Sequence, residues 1–144
     1  MVRDFQSWVI VLLILAPVSI SSNTLDTDSS WTHVLVLDAE VEVKWIASDP
    51  YFMTMEMSAP TVGYVGIGFS PTGGMAGSDI VVGWVDSKGV PQLRDFHALE
   101  KGAPIQDIQQ DYELIAAEEK DNKTTVRFRR RWETCDEKDD MIIG

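Results

Sequence analysis

The segment from Gly63 to Asp86 reads GYVGIGFSPTGGMAGSDIVVGWVD, with two apolar runs on either side of a loop rich in glycine, serine and proline. In the first run, Gly66 and Gly68 alternate with bulky apolar residues. Glycine inside a strand marks a bulge or the close approach of another backbone. The second run follows Asp79 and is rich in β-branched residues, which favour strands. The segment therefore predicts two β-strands joined by a long loop.

Similar short runs recur on both sides of this segment, separated by turn-forming residues at intervals of about eight to twelve positions. Leu99 to Gln106 contains glycine and proline and is predicted to be a loop. No helical period competes with the strand pattern outside the first residues, so the sequence predicts an all-β sandwich. The further predicted strands are Thr32 to Asp38, Val41 to Ser48, Tyr51 to Ser58, Val90 to His97, Asp111 to Glu119 and Lys123 to Glu133.

Two rows of side chains follow from the alternation of residues along a strand. One row contains Tyr51, Met53, Met55 and Met57. Methionines in a row are compatible with soft-metal ligation, but methionine is far more often a flexible filler of the core.

The second row contains Arg127, Arg129 and Arg131, opposite Val126, Phe128 and Trp132. The arginines form either an anion-binding stripe or a solvated face balanced by acids. The acidity of the chain favours the solvated face.

The first 22 residues have the order of a secretory signal peptide. Arg3 precedes an apolar run from Trp8 to Leu15, and the small residues Ser21 and Ser22 follow. The run is short for a membrane-spanning anchor, which is the alternative. We expect residues 1–22 to be a signal peptide, residues 23–32 a polar leader and residues 33–144 one domain. The protein is then secreted or lies in the lumen of the secretory pathway.

The chain is strongly acidic, with a net charge of −11 at pH 7. Such a surface repels nucleic acids and anionic membranes, so neither is an expected partner apart from the membrane that receives the leader.

Two short features also fit the secretory pathway. Asn122-Lys123-Thr124 is an N-glycosylation sequon at a predicted hairpin turn, which predicts an exposed tip. Cys135 is the single cysteine, although oxidising compartments favour cysteine pairs. A free thiol and an intermolecular disulfide are both open at this point.

Three segments, taken in order, resemble a known family. The central segment resembles a DOMON domain, an immunoglobulin-like β-sandwich found beside redox domains in secreted and membrane-anchored proteins. The segments QQDYEL, from Gln109, and TCDEKD, from Thr134, resemble segments of the DOMON domain in copper type II, ascorbate-dependent monooxygenases. Within that family the similarity is greatest to dopamine beta-monooxygenase-like proteins. The resemblance runs from about Val34 to the end of the chain, where such a domain is expected to continue into at least one more strand.

The resemblance implies a truncated sandwich with an open sheet edge and copper chemistry in other domains. Those catalytic domains hold two copper ions through several histidines and a methionine, whereas this chain has only His33 and His97. We therefore expect a fragment that is an accessory or interaction module and not an enzyme. Its partners are the missing catalytic domains or another chain, reached through the open edge and an interdomain disulfide of Cys135.

The resemblance also implies a structural cation site. Its ligands are the carboxylates of Asp79 and Asp111 and the backbone carbonyls of Ile80 and Phe96. Calcium or sodium accepts such a mixture of oxygen atoms. The alternative is that Asp79 caps a turn and that Asp111 is simply exposed.

The competing interpretation is a b-type cytochrome. Cytochrome-type DOMON domains are expected to ligate haem with one methionine and one histidine, and Met75 lies in the loop where that methionine is expected. The histidine is expected beyond Gly144, and His97 is the only substitute. The resemblance therefore favours a cation over haem.

Overall fold

A computed structural model describes residues 31–37 and 40–135, together with the backbone of residues 8–11 and 14–15. The strands of the described residues are joined by turns and loops, and each pair of strands is antiparallel. None of the described elements is a helix long and apolar enough to span a membrane. The strands are β1 (Trp8–Val11), β2 (Ile14–Leu15), β3 (His33–Leu37), β4 (Val41–Ile46), β5 (Phe52–Ala59), β6 (Gly63–Ser70), β7 (Ser78–Val85), β8 (Pro91–Ala98), β9 (Ile105–Gln106), β10 (Tyr112–Lys120) and β11 (Lys123–Arg131).

The strands form two sheets, and the all-β prediction is confirmed. One sheet has the order β1-β6-β7-β8-β9, with β2 also paired to β6. The other has the order β10-β11-β5-β4-β3. The loop predicted from Leu99 to Gln106 needs a correction, because its last two residues form β9. Ile105 and Gln106 pair there with His97 and Phe96.

The core lies between the sheets and is built from alternate residues of the central strands. Met53, Met55 and Met57 are each at most 4% exposed and belong to the core cluster, so the methionine row is core filler. Tyr51, predicted to continue this row, lies before β5 and is 71% exposed. Burying a side chain of this size contributes roughly 1.5–3 kcal/mol, so the row supplies a substantial part of the hydrophobic stabilisation.

One glycine is needed for the two sheets to meet. A Cβ atom on Gly83 of β7 would lie 2.6 Å from Cγ1 of Val126 on β11 and 3.2 Å from Cδ1 of Leu93 on β8. The hydrogen of the glycine leaves room for both side chains, which are buried.

Two tight hairpins join neighbouring strands, and the second of them forms at the turn predicted around Asn122. Asp86 Oδ1 accepts hydrogen bonds from the amides of Lys88 and Val90, both at 2.9 Å, between β7 and β8. Asp121 and Asn122 join β10 to β11 with φ values of 52° and 60°. Asparagine and aspartate tolerate this left-handed conformation and favour such two-residue turns.

The arginine row faces away from the core, as its solvated interpretation requires. Arg127 donates to Glu56 Oε2 at 2.7 Å, and Arg129 pairs with Glu113 Oε2 at 2.6 Å. These arginines are therefore balanced by acids on neighbouring strands.

The outer edge of β6 is paired with backbone from the start of the chain. Residues 8–11 pair with Ile67 to Ser70, and residues 14–15 pair with Gly63 and Tyr64. The rest of the predicted signal peptide lies outside the described residues, as do most of the polar leader and the last residues of the TCDEKD segment. The signal peptide therefore stays a prediction.

Candidate cation site

The carboxylate of Asp79 lies near the start of β7. Asp79 points to the same face of the strand as the buried Val81, because the two residues are two positions apart. Asp79 is only 5% exposed. Arg130 of β11 donates from Nη1 to Asp79 Oδ2 at 2.5 Å, and the Tyr112 hydroxyl of β10 donates to Asp79 Oδ1 at 2.9 Å. Arg130 is itself 1% exposed, and its Nη1 also donates to the Tyr112 oxygen at 2.9 Å. These three side chains tie one sheet to the other through a buried ion pair.

The charges in this group stabilise one another in a poorly solvated space. Burial alone would lower the pKa of Arg130, but Tyr112 and Asp79 beside it raise that pKa above its ordinary value. Burial, followed by the charge of Asp79, raises the pKa of Tyr112 well above its ordinary value. Arg130 therefore carries its positive charge, and Tyr112 keeps its hydroxyl proton to donate to Asp79.

A second group of carboxylates adjoins this pair on β8 and the segment that precedes β10. Asp95 is 4% exposed and Asp107 is 7% exposed. Asp95 Oδ2 accepts the amide of Asp111 at 3.0 Å, and Asp107 Oδ1 contacts His97 Nδ1. Burial, followed by the neighbouring carboxylates of Asp79, Asp107 and Asp111, raises the pKa of Asp95 to about 8, although the hydrogen bond from the Asp111 amide opposes this shift.

Two oxygen atoms of this group have no hydrogen-bond partner among the described residues. They are Asp95 Oδ1 and Asp107 Oδ2, and both are buried. A buried carboxylate oxygen without a donor is costly, because it has lost water without a replacement. The site therefore has unused capacity for a proton or a cation.

The four residues predicted as cation ligands lie close together in the fold. Ile80 is directly opposite Phe96 in the β7–β8 pair, Asp79 precedes Ile80, and Asp111 is joined to this region through Asp95. Asp79 lies within a strand, not at a turn, and both its oxygens accept hydrogen bonds. Asp111 Oδ1 accepts from Gln109 Nε2 at 3.0 Å. In the described part of the chain, no three His, Cys, Asp or Glu side chains form a metal-binding group by themselves.

The sequence analysis did not identify Arg130, Tyr112, Asp95 or Asp107 as parts of this site. For Arg130 a signal exists, because it shares the alternation of Val126 and Phe128 and must point inward with them. Asp95 likewise shares the alternation of the buried Leu93. A charged residue at an inward position indicates a buried partner, since isolated buried charges are strongly unfavourable.

Met75 lies elsewhere, on the outer face of the β6–β7 pair. It borders an open apolar recess with about 440 Å³ of empty space, solvent included. His97 faces the other side of this sheet with Asp107, and His33 stacks on Trp45 in the second sheet. Neither histidine borders the recess. Its lining residues are Tyr64, Gly66, Gly68, Met75, Ser78, Ile80, Val82 and Pro104.

The predicted attachment points lie on the surface. Asn122 is exposed at the tip of the β10–β11 hairpin, and Cys135 is exposed after β11. Both are accessible to modification.

Comparison with solved structures supports the fold. The cytochrome b domain of pyranose dehydrogenase from Coprinopsis cinerea superimposes with a TM-score of 0.55 at 17% sequence identity. The match covers 68% of this chain and 53% of the other. At this identity, the likeness shows a common architecture and nothing about bound groups.

Comparison of sequences gives the family. The chain is 41% identical over 117 residues to MOXD1 homolog 2 of Drosophila melanogaster and 43% identical over 115 residues to human DBH-like monooxygenase protein 1. These matches cover 78% of this chain but only 15% and 18% of the relatives. Rat dopamine beta-hydroxylase is 29% identical over 120 residues. The sequence model of the DOMON domain matches residues 37–144, and the chain therefore belongs to the DOMON domain family.

Proposed function

We propose that this chain is a secreted DOMON accessory and interaction module of a DBH-like copper monooxygenase, with a structural cation site and no catalytic copper site of its own. The observation that carries the proposal is the carboxylate group beside the Asp79–Arg130 pair, which contains buried oxygens that have no hydrogen-bond partner in the part of the chain that the structure describes. A cation there would stabilise the end of the sandwich without taking part in a reaction. The identity to DBH-like monooxygenases supports the monooxygenase context.

The positions of the histidines argue for an accessory role. Copper in enzymes is held mainly by imidazole groups. His33 and His97 lie in different sheets, and each is engaged with a neighbour, Trp45 or Asp107. In this proposal the copper ions belong to other domains of the longer relatives, and this module supplies contacts to them.

The contact surface that we propose is the outer edge of β6. In the structure this edge already pairs with residues 8–11 and 14–15, so its backbone groups accept an added antiparallel strand. Removal of the leader as a signal peptide would vacate the edge for a strand of the catalytic domains or of another chain. Strand addition to a free edge is a common mode of recognition, in which main-chain hydrogen bonds provide the affinity.

The cation is tested by metal removal. We expect calcium to raise the melting temperature of the secreted chain, because a ligand that binds only the folded state stabilises it by mass action. The measurement is a thermal melt followed by circular dichroism, with calcium chloride and then with a chelator. Asp111→Asn should diminish the calcium-dependent shift. A melting temperature that is the same with calcium, sodium and chelator would contradict the cation proposal.

Two surface modifications would place the chain in the secretory pathway. We expect a glycan on Asn122 after expression in a eukaryotic host, since the hairpin tip is exposed. In a longer polypeptide we expect Cys135 in a disulfide. Peptide mapping by mass spectrometry detects the glycan by comparison before and after glycosidase treatment, and the disulfide by comparison before and after reduction. Asn122→Gln is the control for the glycan. An unmodified Asn122 together with a free Cys135 thiol would oppose this location.

A haem-binding module is the second candidate, because Met75 borders an apolar recess. The fit is partial. Haem of this type needs a histidine opposite the methionine, and neither histidine of the chain borders the recess. A Soret absorption band that is lost in Met75→Ala would favour this candidate over the first.

A further inference from the structure

The two side chains that define the glycosylation sequon have opposite environments in the folded domain. Asn122 is exposed at the tip of the β10–β11 hairpin, whereas Thr124 is 0% exposed. A sequon needs both groups, because the asparagine receives the glycan and the third position must carry a serine or threonine hydroxyl. The folded domain therefore presents the acceptor and hides the hydroxyl by which the acceptor is recognised.

The hydroxyl of Thr124 is held in the interior by hydrogen bonds. It donates to the carbonyl oxygen of Thr61 at 2.8 Å and lies 3.3 Å from Glu119 Oε1. The same oxygen of Glu119 accepts the amide of Gly63 at 2.9 Å, and Glu119 is itself only 6% exposed. Turning the hydroxyl outward would break these contacts in a place where water does not replace them.

The backbone of the sequon is also paired on both sides. Thr124 lies opposite Glu119 of β10 and opposite Ala59 of β5, because β11 lies between these two strands. An enzyme that binds all three residues of the sequon must first separate this end of β11 from both neighbours. Opening a strand that is paired on both edges is among the less frequent local motions of a folded domain.

We propose that the glycan is attached to Asn122 only before β11 joins β5, so that glycosylation and folding of this segment compete. In the transfer, Nδ2 of Asn122 bonds to the anomeric carbon of an oligosaccharide. The bond from that carbon to the pyrophosphate of the lipid carrier breaks, and the amide nitrogen loses a proton.

The order of these two events decides which form of the protein is made. A chain that is glycosylated first still folds, since the exposed hairpin tip leaves room for the glycan. A chain that folds first keeps an unmodified Asn122, so rapid folding lowers the glycosylated fraction. This inference rests on the secretory-pathway location in the proposed function and adds the time at which the modification occurs.

The experiment places a second copy of the same triplet in an accessible part of the same chain. Glu100→Asn combined with Gly102→Thr introduces the sequence Asn-Lys-Thr into the loop between β8 and β9, where residues 100–102 are exposed. A Cβ atom at Gly102 has no neighbour within 4 Å, so the loop accommodates the change. The 144-residue double variant is made without glycan in a bacterial host, folded, and incubated with an oligosaccharide transferase and a lipid-linked oligosaccharide. A synthetic peptide of residues 118–128 is the unfolded acceptor.

We expect Asn122 of the folded chain to be glycosylated at least about tenfold more slowly than the loop triplet and the peptide. The reason is that the transferase reaches Thr124 only in the small fraction of molecules in which this end of β11 is open. Peptide mapping by mass spectrometry measures both sites in one molecule, and a cooperative thermal melt verifies that the variant is folded.

The outcomes separate this inference from the glycosylation expected above. Equal rates at Asn122 and at the loop triplet of the folded chain would overturn the inference and leave the glycosylation of Asn122 intact. A peptide that stays unmodified while the loop triplet is glycosylated would show that the triplet at Asn122 is not an acceptor, which contradicts both.

Discussion

Replacing Arg130 with alanine should lower the free energy of unfolding by roughly 3–5 kcal/mol, the cost of leaving a buried charge without its partner. Arg130 is 1% exposed and donates to Asp79 and Tyr112 across the two sheets. Its loss leaves the Asp79 carboxylate in the interior without the guanidinium that balances its charge. Single domains are stable by roughly 5–15 kcal/mol, so this change is expected to remove a large part of the total. Urea denaturation followed by circular dichroism measures it.

The neighbouring arginine provides the control. Arg129 pairs with Glu113 on the outer face, where the two side chains are 44% and 56% exposed. Exposed ion pairs of this kind contribute at most about 1 kcal/mol, so Arg129→Ala should be mild. The double change Asp79→Leu with Arg130→Met should recover much of the loss, since it removes both charges. Equal effects of Arg130→Ala and Arg129→Ala would show that the buried pair does not hold the sheets together.

Replacing Gly83 with alanine should lower the free energy of unfolding by roughly 1–3 kcal/mol, as overpacking of a core does. The added Cβ atom would lie 2.6 Å from Cγ1 of Val126 and 3.0 Å from its Cγ2. Val126 is fully buried and cannot move away without disturbing the opposite sheet. Thermal melts measure the loss, and Gly102→Ala is the control, because a Cβ atom at Gly102 has no neighbour within 4 Å.

A second substitution tests whether the clash is the cause. Val126→Ala alone destabilises the domain by leaving a cavity. In the double variant the alanine at position 83 occupies part of that space. We expect the double variant to be more stable than the sum of the two single effects predicts, a coupling that contacting residues show. Strict additivity would attribute the Gly83→Ala effect to the backbone instead.

The strand pattern was predictable from the sequence because alternation records which face of a strand is buried. The methionine row, the central strands and the two tight turns all follow from neighbours in the chain. The short strand β9 was not predictable, since Ile105 and Gln106 become a strand only by pairing with β8.

The candidate site was predictable only in part. Asp79 and Asp111 were singled out through a family resemblance. The partner of Asp79 is 51 residues away, and no local pattern relates the two positions. The alternation of β11 did place Arg130 inward, but the identity of its partner required the packing of the two sheets. The alternation of β8 likewise places Asp95 inward, whereas Asp107 lies outside the strands and looks like an ordinary polar residue until its burial is known.

The order of strands has a consequence for synthesis on the ribosome. One edge of β5 pairs with β11. Glu56 of β5 and its partner Arg127 of β11 are 71 residues apart in the sequence. At elongation rates of about 5–20 residues per second, β5 is made on the order of 4 to 14 s before its partner emerges. During that interval the methionine-rich strand has a free edge and an uncovered apolar face. A chaperone that holds nascent chains is therefore expected to bind this segment, and to leave when β11 closes the second sheet.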